Sequence, residues 1–220
     1  DNFGRILQDY EVLASLGNTA FLAIGYLVLT NVIGLLLALA LNRGLKSRYL
    51  LRTLLFLPVV LSSISVSYIF KYIFAVDGAL NNILVALGFE DLQRIWLAEP
   101  ESALIAVLIV AVWQHTGMAM VIYLAGLALV PQELEEAAAL DGAGIWKRFR
   151  HITLPMIQPA IAINTTLALT SGLKIFDQVK AMTNGGPFGA TDTLSTVIYR
   201  NTFEFMDYGY GAAISLVFSV

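Results

Sequence analysis

Long apolar stretches separated by short polar segments dominate the pattern of this chain. They cover about 19–41, 53–75, 102–130, 152–174 and 208–220. A helix needs about 20 mostly apolar residues to cross the roughly 30 Å hydrocarbon core, and it satisfies its backbone hydrogen bonds within the segment. The pattern predicts an all-α fold, a bundle of four membrane-spanning helices with a fifth, truncated helix at the end.

Local signals refine the predicted helix ends. Asn18 is a typical N-cap residue for the first span, and Pro155 and Pro159 fall in the first turns of the fourth, where proline is tolerated. Asn184-Gly185-Gly186-Pro187 predicts a turn, and Thr191-Asp192 predicts a helix start. The chain opens on a polar segment without Met and stops about ten residues into an apolar run. We therefore expect a piece of a longer protein, with one transmembrane domain over 1–220.

Basic residues in the short loops predict the orientation. The 42–52 loop carries Arg43, Lys46, Arg48 and Arg52, and the 131–151 loop carries three more basic residues, against four in the segments on the opposite side. Because Lys and Arg are enriched in cytoplasmic loops, we expect the 42–52 and 131–151 loops to face the cytoplasm of a prokaryotic cell. The chain would then be a multi-pass protein of the inner membrane.

Composition narrows the possible functions. Hydrophobic residues make up 58% and charged residues 13% of the 220 positions, and the net charge is −3. A charged fraction of about 25% is usual for soluble domains, so the chain has a membrane composition, with no basic stripe for nucleic acid. There is no cysteine, and His115 and His151 lack metal-ligand spacing. No Gly-Lys pair exists for a phosphate-binding loop, so any ATP must be bound by another chain.

The charged 131–151 loop interrupts this apolar pattern. Pro131 at the first helical position and acids in the first turns predict a helix over about 131–140. Asp141 to Gly144 would break it, and Trp146 and Phe149 then share one face of a second amphipathic segment. This second half could lie on lipid headgroups, but acids on the first helix suit an anionic surface poorly. Docking on another protein explains both halves.

This loop resembles the EAA loop of permease subunits of binding-protein-dependent ABC importers. The resemblance rests on Glu136-Ala137-Ala138, Asp141-Gly142-Ala143, Phe149 and Leu154-Pro155 at the family's spacing. The stretches "MTNGGPFGATDTL" (182–194) and "YGYGAAIS" (208–215) are similar to the carbohydrate branch, and "SLGNTAF" (15–21) to the start of its transmembrane domain.

The resemblance implies a division of labour. Such permeases pair as two related subunits, here a heterodimer, and dock two copies of a cytoplasmic ATP-binding subunit, which uses ATP and Mg. They receive a sugar from an extracytoplasmic solute-binding protein. This chain would bind no cofactor and would not itself be an enzyme. The implied ATPase-coupling residues are Glu135, Glu136, Ala137, Ala138, Asp141, Gly142, Ala143 and Phe149.

Polar residues inside spans indicate where a substrate could pass, because they are costly to expose to lipid. The candidates for the substrate path are Gln114, His115, Asn164, Thr170, Ser171 and Tyr68. Each of them could instead serve helix packing. No Lys or Arg lies deep in a span, which favours a neutral sugar over glycerol phosphate or another small solute.

Two other classes of function stay open at this point. An ATP-independent secondary transporter or channel would need a charged relay within the membrane. The cores of the first four stretches contain no Asp, Glu, Lys or Arg. A membrane scaffold would leave the hydroxyl-rich spans without a purpose.

Overall fold

The computed structural model describes residues 2–42 and 46–219. Every regular element in these ranges is helical, which confirms the all-α prediction. In chain order the helices are α1 (Asn2–Ile6), α2 (Tyr10–Leu41), α3 (Arg48–Val60), α4 (Ser63–Ile73), α5 (Ala79–Ala86), α6 (Pro100–Ala128), α7 (Gln132–Leu140), α8 (Ile145–Arg148), α9 (Leu154–Met156), α10 (Gln158–Leu173), α11 (Asp177–Met182), α12 (Leu194–Tyr199) and α13 (Tyr208–Ser219). Single π-helical turns cover Phe149–Thr153 and Arg200–Glu204, and a 3₁₀ turn covers Glu90–Leu92.

Two helices, α2 and α6, are long and apolar enough to cross a membrane by themselves. Two bent pairs raise the number of possible spans to four: α3 with α4, and Ile145–Met156 with α10. The four predicted full spans thus correspond to two continuous helices and two interrupted ones, and α13 occupies the place of the fifth.

The first span begins earlier than the sequence suggested. Helix α2 starts at Tyr10, so the prediction of Asn18 as the N-cap was wrong. Asn18 lies inside α2, and its Nδ2 donates to the backbone oxygen of Asp192 at 2.9 Å. Its amide therefore binds a loop from elsewhere in the chain, a use that local sequence signals do not distinguish from capping.

The second predicted span, 53–75, is not one helix. Helix α3 ends at Val60, α4 begins at Ser63, and the chain bends by 100° at this break. Pro58 lies in the last turn of α3, where it has no N–H to donate to the carbonyl of Leu54. The weakened last turn and the extended backbone of Ser62 (ψ 131°) end the helix.

The fourth span is helical from Ile145 onward and bends by 69° near Ile157. The second arm of the 131–151 loop therefore runs directly into the span. Pro155 and Pro159 each occupy the second position of a helix, α9 and α10, as the sequence predicted.

By contact density the chain forms two compact units. The first contains residues 1–26, 61–111 and 171–220. Its core joins the chain start to α12 and α13, through buried Ile6, Val12, Val197, Tyr210 and Ile214. Within this unit α11 packs against α4.

A loop between α11 and α12 is braced by polar contacts inside the first unit. The Gly186-Pro187 bond is cis, and Asn184 has φ +51°, which confirms the predicted turn. The next helix starts slightly later than predicted, because Thr193 is the N-cap, in a capping box with Thr196.

Buried Asp192 holds the end of this loop. Its carboxylate pairs with Arg200 at 3.0 Å and accepts from the Thr196 hydroxyl at 2.9 Å. Arg200 also pairs with Glu11. Burial raises the pKa of Asp192 to about 6, although the hydrogen bond from Thr196 acts to lower this pKa. Neighbouring chain segments are thus joined around one desolvated carboxylate.

The second unit contains residues 27–60 and 112–170. Its core packs α2, α6 and the fourth span through Ala38, Met120, Tyr123, Leu127 and Ile157. Small residues allow these helices to approach closely, as is usual in membranes. A Cβ on Gly34 would lie 2.7 Å from the Cβ of Ala119.

Gly117 provides a close helix contact in the second unit, because a Cβ there would collide with the backbone carbonyl of Leu55 in α3. We predict that Gly117→Ala destabilises the protein by roughly 1–3 kcal/mol, the usual cost of overpacking. The measurement is the midpoint of thermal unfolding in detergent. Gly17→Ala in α2 is the control, since an added Cβ there meets nothing within 4 Å. Equal midpoints for the two variants would contradict the close contact.

Candidate functional site

The 131–151 segment folds into a helical hairpin whose first arm is α7. The observed range, Gln132–Leu140, agrees with the predicted helix over about 131–140. Pro131 is the N-cap residue, with ψ 127°, and not the first helical residue as predicted. Glu133 and Glu135 lie in the first turn, where a carboxylate interacts favourably with the positive end of the helix dipole.

A tight backbone cap ends α7. The N–H of Ala143 donates to the carbonyl of Ala138 at 2.9 Å, and the N–H of Gly142 donates to that of Ala139 at 3.1 Å. This pair of bonds is the Schellman motif, which needs a left-handed residue at its turn. Gly142 has φ +78°. The predicted glycine turn is therefore present, and Gly142 sets the direction in which the chain leaves α7.

The second arm starts with α8, and several of its apolar side chains are exposed to solvent. The rings of Trp146 and Phe149 lie 5.7 Å apart, as expected for residues that share one helix face. Leu140 is 90% exposed, Ile145 72% and Trp146 69%. We call Leu140, Ile145 and Trp146 the apolar patch. Exposed large apolar side chains that lie close together in the chain are typical of an interaction surface.

The eight predicted coupling residues divide by exposure. Glu136, Ala137, Asp141 and Gly142 are exposed, whereas Glu135, Ala138, Ala143 and Phe149 are partly buried. The Glu136 carboxylate accepts from Gln132 Nε2 at 2.6 Å, one turn away on α7. The hairpin thus presents acids next to the apolar patch.

A polar cavity of about 500 Å³ lies on the inner side of α7. Its lining includes Gln132, Glu135, Arg148 and Thr153, together with Asn42 at the end of α2. The Thr153 hydroxyl donates to Glu135 Oε1 at 2.9 Å, and Arg148 Nη1 lies 3.5 Å from the Glu135 carbonyl. The sequence did not indicate Thr153, because it pairs with a residue 18 positions away and matches no local motif.

The six candidates for the substrate path divide between the two units. Gln114, His115, Asn164 and Thr170 belong to the second unit, and Tyr68 and Ser171 to the first. Gln114 is 1% exposed and His115 is partly buried. Thr170 donates to the carbonyl of its own helix at Thr166, and Ser171 is exposed and hydrogen-bonds to Tyr26. Tyr68 is 52% exposed.

Asn164 belongs to a buried polar cluster in the second unit. Its Nδ2 donates to the backbone of Ala119 at 3.2 Å, and its side chain also bonds Tyr123. The Tyr123 hydroxyl donates to Asn31 Oδ1 at 2.5 Å. These bonds link α2, α6 and α10, so Asn164 has a helix-packing role whether or not it meets substrate.

No group of three or more His, Asp or Glu side chains within the described ranges could hold a metal ion.

Comparison with known proteins identifies the family. The family described as "Binding-protein-dependent transport system inner membrane component" matches residues 30–220. The chain is 36% identical to the multiple sugar-binding transport system permease protein MsmF of Streptococcus mutans, over 99% of this chain and 74% of MsmF. It is 37% identical to the lactose transport system permease protein LacF of Rhizobium radiobacter, over 98% and 74% of the two chains. It is 35% identical to the trehalose/maltose transport system permease protein MalF of Thermococcus litoralis, over 98% and 72%.

The structural comparison agrees with the sequence comparison. A chain in the crystal structure of a bacterial ABC transporter that imports the acidic polysaccharide alginate superposes with a TM-score of 0.90 at 26% identity, covering 99% of this chain and 77% of that one. The same transporter type in complex with an alginate pentasaccharide-bound periplasmic protein gives a TM-score of 0.88 at 26% identity, over 99% and 76%. The chain therefore belongs to the family of binding-protein-dependent transport system inner membrane components, and it is a permease subunit of an ABC importer.

Proposed function

We propose that this permease forms part of the path for a carbohydrate that an extracytoplasmic binding protein delivers. The support comes from relatives that are named for sugars and from the alginate transporter, which was solved with its periplasmic protein. The cores of the first four apolar stretches contain no Lys or Arg. A neutral sugar therefore suits this chain better than glycerol phosphate, whose charge would require a cation from the paired permease.

The hairpin is the proposed docking element for a cytoplasmic ATP-binding subunit, of which the assembled importer would hold two copies. The observation that carries this proposal is the combination of a capped helix, α7, with the exposed apolar patch beside it. An apolar centre with a polar rim is the usual composition of a protein interface. ATP and Mg would be held by that subunit, since this chain has no phosphate-binding loop.

This arrangement requires the 42–52 and 131–151 loops to face the cytoplasm. Arg43, which contributed to the predicted orientation, lies outside the described residues. Arg52 Nη2 donates to the carbonyl of Leu41 at 2.8 Å, so a cation satisfies the C-terminal end of α2 on the same side. A second, related permease would complete the path as a heterodimer.

The direct experiment is uptake by proteoliposomes that contain the assembled importer and its binding protein. We expect ATP-dependent accumulation of at least one neutral sugar from a panel that includes lactose, maltose and trehalose. Liposomes without ATP are the control. Accumulation of glycerol phosphate alone, or of no carbohydrate, would contradict the proposed substrate class.

Gly142 allows a sharper test of docking. A β-branched side chain at φ +78° costs about 1–2 kcal/mol or more, so Gly142→Val should break the cap of α7. We expect several-fold lower co-purification of the ATP-binding subunit and lower uptake. Gly142→Asn should reduce co-purification and uptake less than Gly142→Val. Asn tolerates a left-handed backbone, and an added Cβ meets nothing within 4 Å inside this chain.

The matched control is Gly144→Ala. Gly144 has φ −64°, an ordinary value for any residue, and it also has open space around it. Wild-type co-purification and uptake for Gly142→Val would refute the role of the capped helix. A loss with Gly144→Ala as large as that with Gly142→Val would show that the left-handed backbone is not the cause.

A further inference from the structure

One side-chain hydrogen bond connects α7 to the beginning of the fourth span. The carboxylate of Glu135, in the first turn of α7, accepts from the Thr153 hydroxyl at 2.9 Å. Thr153 is 5% exposed, so little of its side chain meets bulk solvent. A hydrogen bond to a charged acceptor is roughly twice as strong as one between neutral groups.

The partner of Thr153 is unusual for a helical threonine in this chain. Thr116, Thr166 and Thr170 each donate to the carbonyl four residues earlier in their own helix. Such local bonds satisfy the hydroxyl without connecting two elements. The Thr153 hydroxyl instead reaches across 18 positions to another helix.

The cavity behind α7 leaves few packed side chains through which a movement of α7 could act on the second arm. Glu135, Arg148 and Thr153 all line this space of about 500 Å³, so no layer of packed side chains fills it. Nonbonded contacts act only at short range and are lost across a gap. Within the described part of the chain, the Glu135 contacts provide a polar connection between α7 and the second arm, in addition to the covalent turn at residues 141–144.

Thr153 lies where the helix is least regular. It is the last residue of a π-helical turn, in which the N–H of Leu154 donates to the carbonyl of Phe149. The chain then bends by 69° near Ile157, before α10 begins. Irregular turns of this kind are frequent at functional sites and provide a place where a helix can change direction.

We propose that the Glu135–Thr153 hydrogen bond is a latch that transmits movement of α7 to the fourth span. The proposal rests on the proposed function, in which α7 docks on the ATP-binding subunit. A displaced α7 pulls Thr153 through the Glu135 carboxylate and changes the bend ahead of α10. Glu135 and Thr153 are thus positioning residues for transport, and docking itself depends on the exposed apolar patch.

The test is Thr153→Val in the complete importer, because valine keeps the shape of threonine and removes the hydroxyl. Three quantities are measured: co-purification of the ATP-binding subunit, the rate of ATP hydrolysis, and the amount of sugar taken up per ATP hydrolysed. We expect co-purification to stay within about twofold of wild type, while uptake per ATP falls by roughly fivefold or more, a typical allosteric coupling. Thr153→Ser, which keeps the hydroxyl, should retain the wild-type ratio.

Thr116→Val is the matched control, since Thr116 is 6% exposed and bonds only within its own helix in the contacts described above. Wild-type uptake per ATP in Thr153→Val, or an equal loss in Thr116→Val, would overturn the latch. A second variant, Glu135→Ala, removes the other partner of the bond. The double variant, with both Thr153→Val and Glu135→Ala, should lower uptake per ATP no further than either single variant does. Additive losses would also overturn the latch. Failure of the wild-type permease to co-purify an ATP-binding subunit would instead refute the proposed docking function.

Discussion

In a hydrocarbon environment each backbone N–H and C=O has to find its partner within the protein, and the structure of this chain follows from that constraint. Helices satisfy it locally, so the apolar stretches become α2, α6 and the two interrupted spans. Interruptions occur where the backbone is already weakened, after Pro58 and between Pro155 and Pro159. Lipid tails are as apolar as a leucine side chain, so the hydrophobic effect does not drive helices together within the membrane. Close helix packing therefore relies on small residues such as Gly34 and Gly117.

The same constraint makes polar contacts informative. Inside the second unit, Asn31, Tyr123 and Asn164 satisfy one another and the backbone of Ala119, which ties three helices together. At its hairpin, Glu135 and Thr153 form a bond over a polar cavity, where a tightly packed apolar contact would have been the simpler solution. A single directional bond can be made or broken as a unit, whereas a packed core resists small displacements. This difference explains why a helix that moves during transport would be attached by a single hydrogen bond and not by a packed core.

The sequence predicted the positions of helices and turns better than it predicted the contacts between distant residues. The positions of the apolar stretches, the helix over 131–140 and the turn at Gly142 followed from periodicity, capping chemistry and glycine, all of which act locally. The break at Leu61 and Ser62 was missed because an apolar run of sufficient length looks the same with or without a bend. Asn18 was misassigned as a cap because its real partner, the backbone of Asp192, is 174 positions away. Thr153 was missed for the same reason. The resemblance of the EAA loop supplied the family, and no local rule could have supplied the latch.

These 220 residues contain no cysteine, which permits a direct measurement of the central claim, that the hairpin docks the ATP-binding subunit. A photoreactive cross-linker is attached at Leu140→Cys, in the apolar patch, and in a second protein at Phe188→Cys, a fully exposed position in the loop between α11 and α12. The assembled importer is then illuminated, and the cross-linked products are identified by mass spectrometry. Cross-linking of position 140, but not of position 188, to the ATP-binding subunit is the predicted result. Cross-linking of position 188 to that subunit, or none from position 140, would contradict the account.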